Sequence, residues 1–263
     1  MADKHSSKIA EWKKLADIDY YGMFVKAYIP FNAWLNDNFS EPKDREKINR
    51  IKSKPNRFRD KITILLDSLS QEGANFRNSI GELHHCLEIC PLQNQGETIT
   101  FSNVYIGKNP QNVFEDKYRG IGIRVQYGDG GKKTETYSLI KDRNGNALFN
   151  FKQNDYDFEE ICTNTDLGRQ KTEYRLRLLE CYKQANPNLK VNLLADPKEK
   201  EDNKYLMGSI TFIKDKEKIS QGLIEIIYNL RNTLFHGELD PNEYTNNIYG
   251  AAYKILRELI EAL

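Results

Sequence analysis

The chain has 263 residues, 39% hydrophobic and 29% charged, enough for one large domain or two small ones with a substantial core. Its 39 Lys and Arg against 38 Asp and Glu give a formal net charge of +1, so the molecule as a whole has no bias toward nucleic acid or an anionic membrane, and any electrostatic site must come from local segregation of charge. No run approaches the roughly 18 apolar residues of a membrane span, and four scattered cysteines (Cys86, Cys90, Cys162, Cys181) make no secreted disulfide framework, which predicts a cytoplasmic protein with reduced thiols and no membrane partner.

The opening stretch Met1-Ala2-Asp3-Lys4-His5-Ser6-Ser7-Lys8 is polar and lacks the apolar segment of a signal peptide. Ile18, Tyr21, Val25 and Tyr28 then fall at helical spacing, followed by Phe31, Trp34, Leu35 and Phe39. Pro30 between the groups is either a kink or the first position of a new helix. Ser40-Glu41-Pro42 breaks the pattern. Phe58, Ile62, Leu65, Leu66 and Leu69 mark the buried side of a helix from Asn56 to Leu69, and Phe76, Ile80, Leu83, Leu87 and Ile89 mark another, stopped before Pro91.

The character changes near Gly96. Thr98 to Ile106 and Ile121 to Tyr127 are rich in β-branched and aromatic residues. Gly128-Asp129-Gly130-Gly131 signals a turn into Thr134 to Ile140, and Asn144-Gly145 a hairpin before Ala147-Leu148-Phe149. A small antiparallel sheet of three or four strands is expected. Helix returns after Tyr156, through Tyr174, Leu178 and Cys181, until Asn186-Pro187, and Asp196 to Lys204 reads as an exposed loop. Two final helices carry the clearest periodicity, Ile219, Leu223, Ile226, Leu230 and Leu234 on the first and Ile248, Ala252, Ile255, Leu259 and Ala262 on the second. Between them Asp240-Pro241-Asn242-Glu243 supplies a cap, a proline at the first helical position and a glutamate at the third. The expected organisation is N-terminal helices over 1–95, a β insertion over 96–151 and C-terminal helices over 152–263: an α+β protein, predominantly α.

The segment richest in chemistry joins those last helices: Leu230-Arg231-Asn232-Thr233-Leu234-Phe235-His236-Gly237-Glu238. Gly237 can take a left-handed backbone and end the helix, which places His236 at its C-terminal edge, where helix carbonyls favour a protonated imidazole. Arg231 and His236 are five apart, an offset of about 140° on a regular helix, so they converge only if the helix loosens at His236 or a symmetric dimer completes the site. A guanidinium holds a phosphate through two hydrogen bonds, and a histidine near neutral pKa moves a proton. In RNA the 2′-hydroxyl is an internal nucleophile, so this chemistry requires no metal or cofactor. Arg-x4-His is also a common spacing, for which a solvated arginine and a capping histidine are the plainer reading.

In its context, Arg231-Asn232 followed by His236-Gly237, at the end of an apolar helix and before a capped C-terminal helix, resembles the HEPN (higher eukaryote and prokaryote nucleotide-binding) superfamily. Its members are small helical bundles with an Arg-x4–6-His motif, often with Asn, Asp or His directly after the Arg. The aromatic segment from Tyr20 to Leu35 is similar to the opening helix of such bundles, and residues 96–151 are left unaccounted for. The resemblance implies an HEPN-like bundle built from both ends of the chain. It further implies a metal-independent endoribonuclease of toxin–antitoxin, abortive-infection or other anti-phage systems, acting on RNA as a homodimer, with an antitoxin or regulatory partner. On that resemblance His236 is the general acid/base, Arg231 holds the scissile phosphate and Asn232 orients the phosphate or its neighbours, leaving a 2′,3′-cyclic phosphate and a 5′-hydroxyl. Some family toxins carry a tyrosine two positions after the histidine that a partner nucleotidyltransferase modifies; here Glu238 stands there. Inactive family members serve as binding modules, so a non-catalytic subunit for nucleic-acid or nucleotide binding, or for dimerisation, is the alternative.

Other signals are weaker. Residues 43–61 hold nine Lys/Arg against three acids. With Phe58 interleaved, Arg50, Lys52, Lys54, Arg57, Arg59 and Lys61 are the candidate contacts to an RNA backbone, the alternative being a solvated helix face. His84-His85-Cys86 with Cys90 has ligand spacing, but no second Cys/His cluster completes a tetrahedral site, so no metal is expected. Gly120-Ile121-Gly122 and Gly128 to Gly131 sit among strands and not in the strand–loop–helix order of a phosphate loop. Tyr105, Tyr118, Tyr127 and Tyr137 either stack on bases or pack against the helical body.

Overall fold

The computed structural model describes residues 19–128, 134–237 and 239–263. The N-terminal stretch, Ile18, the turn residues Asp129-Gly130-Gly131 and Glu238, on all of which expectations rested, lie outside them. Helix outweighs strand, and the strands form small sheets, four-stranded at most. The chain divides into two compact units, one made by the residues up to Ile106 together with Lys190–Leu263, the other by Gly107–Leu189.

In the first unit the helices are α1 (Tyr20–Asn38), α2 (Asp44–Ser53), α3 (Arg57–Asp67), α4 (Gln71–Ile89), α8 (Lys216–Phe235) and α9 (Glu243–Ile260). Phe24, Tyr28, Phe31 and Leu35 recur every three or four residues along α1 and are buried. The Phe24 ring meets Tyr249 of α9 (5.2 Å between centroids) and the Phe31 ring meets Phe58 of α3 (4.6 Å). Pro30 neither starts nor ends a helix but sits inside α1. Its missing N–H would have bonded the Lys26 carbonyl, and both residues are exposed, so water can serve that oxygen.

Helix α2 has no counterpart among the expected elements, because its two apolar residues, Ile48 and Ile51, leave only a short buried face in a run of charge. Asn56 caps α3, accepting from the Arg59 N–H at 3.0 Å, as its place in the sequence suggests. The cap of α9 lies two residues beyond the expected Asp240: Asn242 accepts from the Thr245 N–H, and Thr245 Oγ1 accepts from the Asn242 N–H, a reciprocal box that leaves Pro241 outside the helix. Ile219, Leu223, Ile226 and Leu230 of α8 and Ile248, Ala252, Ile255 and Leu259 of α9 are buried and form the core, whereas Leu234 is only partly buried and Ala262 lies beyond the end of α9. Two short hairpins, β1 (Gln93–Asn94) with β2 (Glu97–Thr98) and β9 (Lys204–Met207) with β10 (Ile210–Ile213), cover the edges of this helical body. Gly81 lets the second hairpin touch α4: a Cβ there would lie 2.1 Å from the Met207 carbonyl oxygen. Strand β3 (Val104–Lys108) pairs with β8 (Asn188–Val191), and Thr98 to Ile106 is therefore not the single strand its composition predicts.

The second unit is a four-stranded antiparallel meander, β4 (Val113–Tyr118), β5 (Ile121–Tyr127), β6 (Thr136–Lys141) and β7 (Ala147–Gln153), followed by α5 (Phe158–Thr163), α6 (Thr165–Gly168) and α7 (Thr172–Gln184). Ile121, Ile123 and Val125 alternate inward along β5 and meet Leu178, Cys181 and Tyr182 of α7. Gly145 at φ +87° makes the β6–β7 turn expected at Asn144-Gly145. Because these helices share the sheet's core, the inserted body spans 107–189, not 96–151, and the C-terminal helices of the first unit begin after it. All four cysteines are free, and among the described residues no helix is long and apolar enough to cross a membrane.

Candidate functional site

Helix α8 is fixed along its length before it reaches the candidate motif. Asp215 caps it, its apolar row is buried, and the Tyr249 hydroxyl of α9 donates to the Leu230 carbonyl at 2.7 Å. Gly237 takes φ +69° and ends the helix, so His236 is the cap residue, its N–H bonded to the Asn232 carbonyl at 2.9 Å. The imidazole of His236 is exposed and makes no hydrogen bond or ion pair with any other described residue.

Arg231 is held. Its Nη1 donates to Asn232 Oδ1 at 3.0 Å, its Nη2 lies 3.5 Å from Asp44 Oδ2, and its guanidinium carbon is 4.9 Å from the Phe235 ring centre and 5.9 Å from that of Tyr28. Its Nε is buried with no hydrogen-bond partner. Burial pushes the Tyr28 hydroxyl well above the ordinary tyrosine range, partly offset by the Arg231 charge. Asn232 is only 6% exposed and its amide oxygen accepts from Arg231, so it positions that guanidinium. No hydrogen bond or ion pair joins Arg231 to His236; the two lie on successive turns, as the five-residue spacing requires.

Of the six candidate backbone contacts in the basic segment, four meet a carboxylate. Lys52 is a correction to the sequence reading. Only 1% exposed, it places Nζ 2.7 Å from Glu225 Oε2, 3.3 Å from the Tyr105 carbonyl and 3.9 Å from the Tyr105 ring centre, where no RNA backbone can reach it. Ile48, Ile51 and Lys52 share the inward face of α2, a fact that charge counting overlooks. Burial lowers the Lys52 pKa to about 8, against the attraction of Glu225. Arg59 pairs with Glu217, Lys61 with Glu72 at 2.6 Å, and Arg50 lies 3.4 Å from Glu41. Lys54 and Arg57 are exposed without an acidic partner, Arg57 lying over the Trp34 ring, while Phe58 is buried beside Phe31 and Trp34.

His84 packs edge-on against Phe101 and Phe212, burial lowering its pKa, and among the described residues no group of three His, Cys, Asp or Glu is placed to hold a metal ion. Tyr118 lies under Arg177 and meets Tyr174 of α7 edge-on, whereas Tyr137 is partly exposed. The sequence reading passed over Glu225, 2% exposed, which accepts from Arg45 Nη1 at 2.7 and 2.8 Å and from Lys52. Its signal was available: one acid within the apolar run Ile224-Glu225-Ile226-Ile227-Tyr228. Asp44 and Arg45, neighbours at the start of α2, thus engage α8 at Arg231 and at Glu225. Comparison with protein-family models, with curated proteins and with solved structures returns no match to this chain.

Proposed function

We propose that the chain is a metal-independent endoribonuclease with an HEPN-like bundle, acting as a homodimer in anti-phage defence or as a toxin under the control of an antitoxin or regulatory partner in the cytoplasm. The observation that carries this reading is the end of α8: a guanidinium held by Asp44, Asn232 and Phe235, and one turn later an exposed imidazole with no structural bond among the described residues. Arg231 keeps one pairing loose, 3.5 Å from Asp44, so a phosphate oxygen can take up the outward guanidinium N–H. His236 then removes the 2′-hydroxyl proton, the 2′-oxygen attacks phosphorus, the bond to the 5′-oxygen breaks as the His236 imidazolium returns that proton to the leaving oxygen, and Arg231 stabilises the charge that develops between. The angular offset of the pair is met by a two-fold arrangement in which Arg231 of one copy faces His236 of the other.

Incubation of the protein with RNA in EDTA tests this. Wild type leaves 2′,3′-cyclic phosphate ends, and His236→Ala and Arg231→Ala each lower the rate by about a hundredfold or more. Intact RNA with wild type refutes the nuclease. One observation favours a second reading, a non-catalytic binding subunit: the Arg231 charge is already matched by Asp44. In that case RNA stays whole, Arg231→Ala weakens binding and His236→Ala leaves affinity unchanged.

A further inference from the structure

In the second unit α7 covers one face of the meander, the face to which Ile121, Ile123 and Val125 point, and strand alternation sends the residues between them to the other. The pairing register arranges that outer face in rows across the strands. Tyr137 and Lys152 lie opposite each other in one row, Glu115 and Arg124 in the next, and Lys117, Gly122 and Lys141 in the row nearest the β4–β5 and β6–β7 turns. Two of these cations are matched, Arg124 by Glu115 and Lys152 by Glu135, each at 2.8 Å. The exposed Lys117 and Lys141 meet no acid among the described residues, and neither do Arg119 and Arg143 in the two turns beside them.

Those two turns are tied together. Arg143 Nε donates to the Arg119 carbonyl at 3.1 Å, and the Arg143 side chain lies against Gly120, where a Cβ would come within 2.7 Å of it. The acid among these cations, Asp142, is engaged by its own turn: it accepts from the Asn144 and Asn146 N–H groups at 2.9 and 2.8 Å and from Asn146 Nδ2 at 3.0 Å. Four cations against one acid thus stand at this end of the sheet. Gly122 opens the row between the lysines, since a Cβ there would meet nothing within 4 Å. Two strand spacings set the Lys117 and Lys141 backbones about 10 Å apart with that bare strip between them, and their flexible stems can close on one phosphate from both sides. Four residues back along β6, about 13 Å away, the Tyr137 ring is 37% exposed. Its hydroxyl donates to Glu135 at 2.5 Å and the Lys152 ammonium lies 5.4 Å from its centre, which hold the ring in place.

We infer that the outer face of this sheet binds single-stranded RNA, with a phosphate over Gly122 between Lys117 and Lys141 and a base stacked on Tyr137. A face with unmatched charge at one end and an open ring at the other suits a polymer that carries an anion and a flat π-surface in every unit. An acidic peptide supplies the first and not the second, and a duplex hides its base faces. The choice of RNA over DNA rests on the nuclease reading; the surface and its charge do not.

Fluorescence anisotropy of the full chain with a labelled oligouridine RNA of about twelve nucleotides, in EDTA, provides the test. The parent for every variant is His236→Ala, which leaves RNA whole on the nuclease reading, so binding is read whether or not the wild type cuts and the two failures are told apart. Neutralising Lys117→Gln and Lys141→Gln together should weaken binding by about tenfold or more and reduce the slope of log K against log salt by about 1.4. Gly122→Glu sets a carboxylate between the lysines without a clash and should weaken binding at least as much. Tyr137→Leu should weaken it by about fivefold or more with the salt slope unchanged. Circular dichroism checks each fold, and the lysine substitutions, on exposed side chains, decide if Gly122→Glu does not fold. The inference is overturned if the RNA does not bind up to about 100 μM, or if the lysine pair and Gly122→Glu bind as the parent does. It is also overturned if loss of binding follows Lys54→Gln with Arg57→Gln in the first unit instead. An oligoglutamate of equal length competing as well as the RNA, or duplex RNA binding as tightly, overturns it too, the former marking a face for an acidic protein.

Discussion

Glu225→Gln removes the one carboxylate that Arg45 and Lys52 share, at a position 3% exposed by side chain. In the wild type, burial already holds Lys52 at a pKa of about 8 against 10.5 for a free lysine, roughly 3 kcal/mol unfavourable to the charged form. Without Glu225 that pKa drops below neutrality and Lys52 enters the fold uncharged. The penalty it adds is thereby limited to about 1–2 kcal/mol, and loss of the charge-assisted Arg45 pair brings the total to about 2–4 kcal/mol at pH 7. Lys52→Met is the contrasting change. It leaves Glu225 with both Arg45 contacts and replaces a buried ammonium by a thioether of similar shape, so stability should move by less than about 1 kcal/mol.

Urea unfolding followed by circular dichroism measures both, and pH separates this account from a packing defect. A lysine whose folded pKa lies below its unfolded one binds its proton more tightly in the unfolded chain. Wild-type stability therefore rises with pH between about 8 and the unfolded lysine value of about 10.4. In Glu225→Gln the rise begins at lower pH, and the gap to wild type narrows by about 1 kcal/mol between pH 7 and pH 9. Measurements stay below pH 10, where Tyr28 and Tyr249, raised by burial, contribute with the opposite sign. Equal losses in Lys52→Met and Glu225→Gln, or a gap independent of pH, would refute the shared-carboxylate account.

Gly81→Ala places a methyl group 2.1 Å from the Met207 carbonyl oxygen and should lower stability by about 2–3 kcal/mol, seen as a depressed Tm; an unchanged Tm would mean the β9–β10 hairpin does not pack that closely. Asp44→Ala removes a half-exposed partner of Arg231 and should change stability by less than about 1 kcal/mol; under the proposed ribonuclease function it should also lower kcat through loss of guanidinium positioning and leave KM nearly unaltered. Rescue by Asp44→Glu would distinguish positioning from charge alone, and a kcat unaffected by either substitution would remove Asp44 from the site.

Long apolar periodicity was legible. The rows of α8 and α9, the meander strand β5 with its alternating Ile121, Ile123 and Val125, and the Gly145 and Gly237 backbone turns all follow from local physics that distant residues reinforce. Helix α2 was illegible because its burial is carried by two isoleucines and a lysine, and a lysine at a core position looks the same in sequence as a lysine in water. Lys52 shows the same limit in the candidate site: a basic run was visible, but which of its charges meet carboxylates from α4 or α8 depends on pairings more than 10 residues away in the chain, up to 180 for Arg45 and Glu225. That the Asn232 amide is buried and accepts from the Arg231 guanidinium was not legible, because adjacency in the chain does not say which way two neighbouring side chains turn. The α9 cap moved from Asp240 to Asn242 because Thr245, absent from the expected pattern, closes the box.

The inserted body has a further property in how its ends meet. The Asn109 N–H donates to the Pro187 carbonyl at 2.9 Å and the Asn109 side chain to the Gln184 and Asn186 carbonyls, so that body begins and finishes at one spot. The helical unit is closed in the same way, Leu193 N–H donating to the Phe101 carbonyl at 2.9 Å. Exit and return of the polypeptide are thus side by side in each body, and each owns its core. Such a cassette can be spliced out and the remaining ends sealed with a short turn, or excised and circularly permuted, with no long gap to bridge in either case.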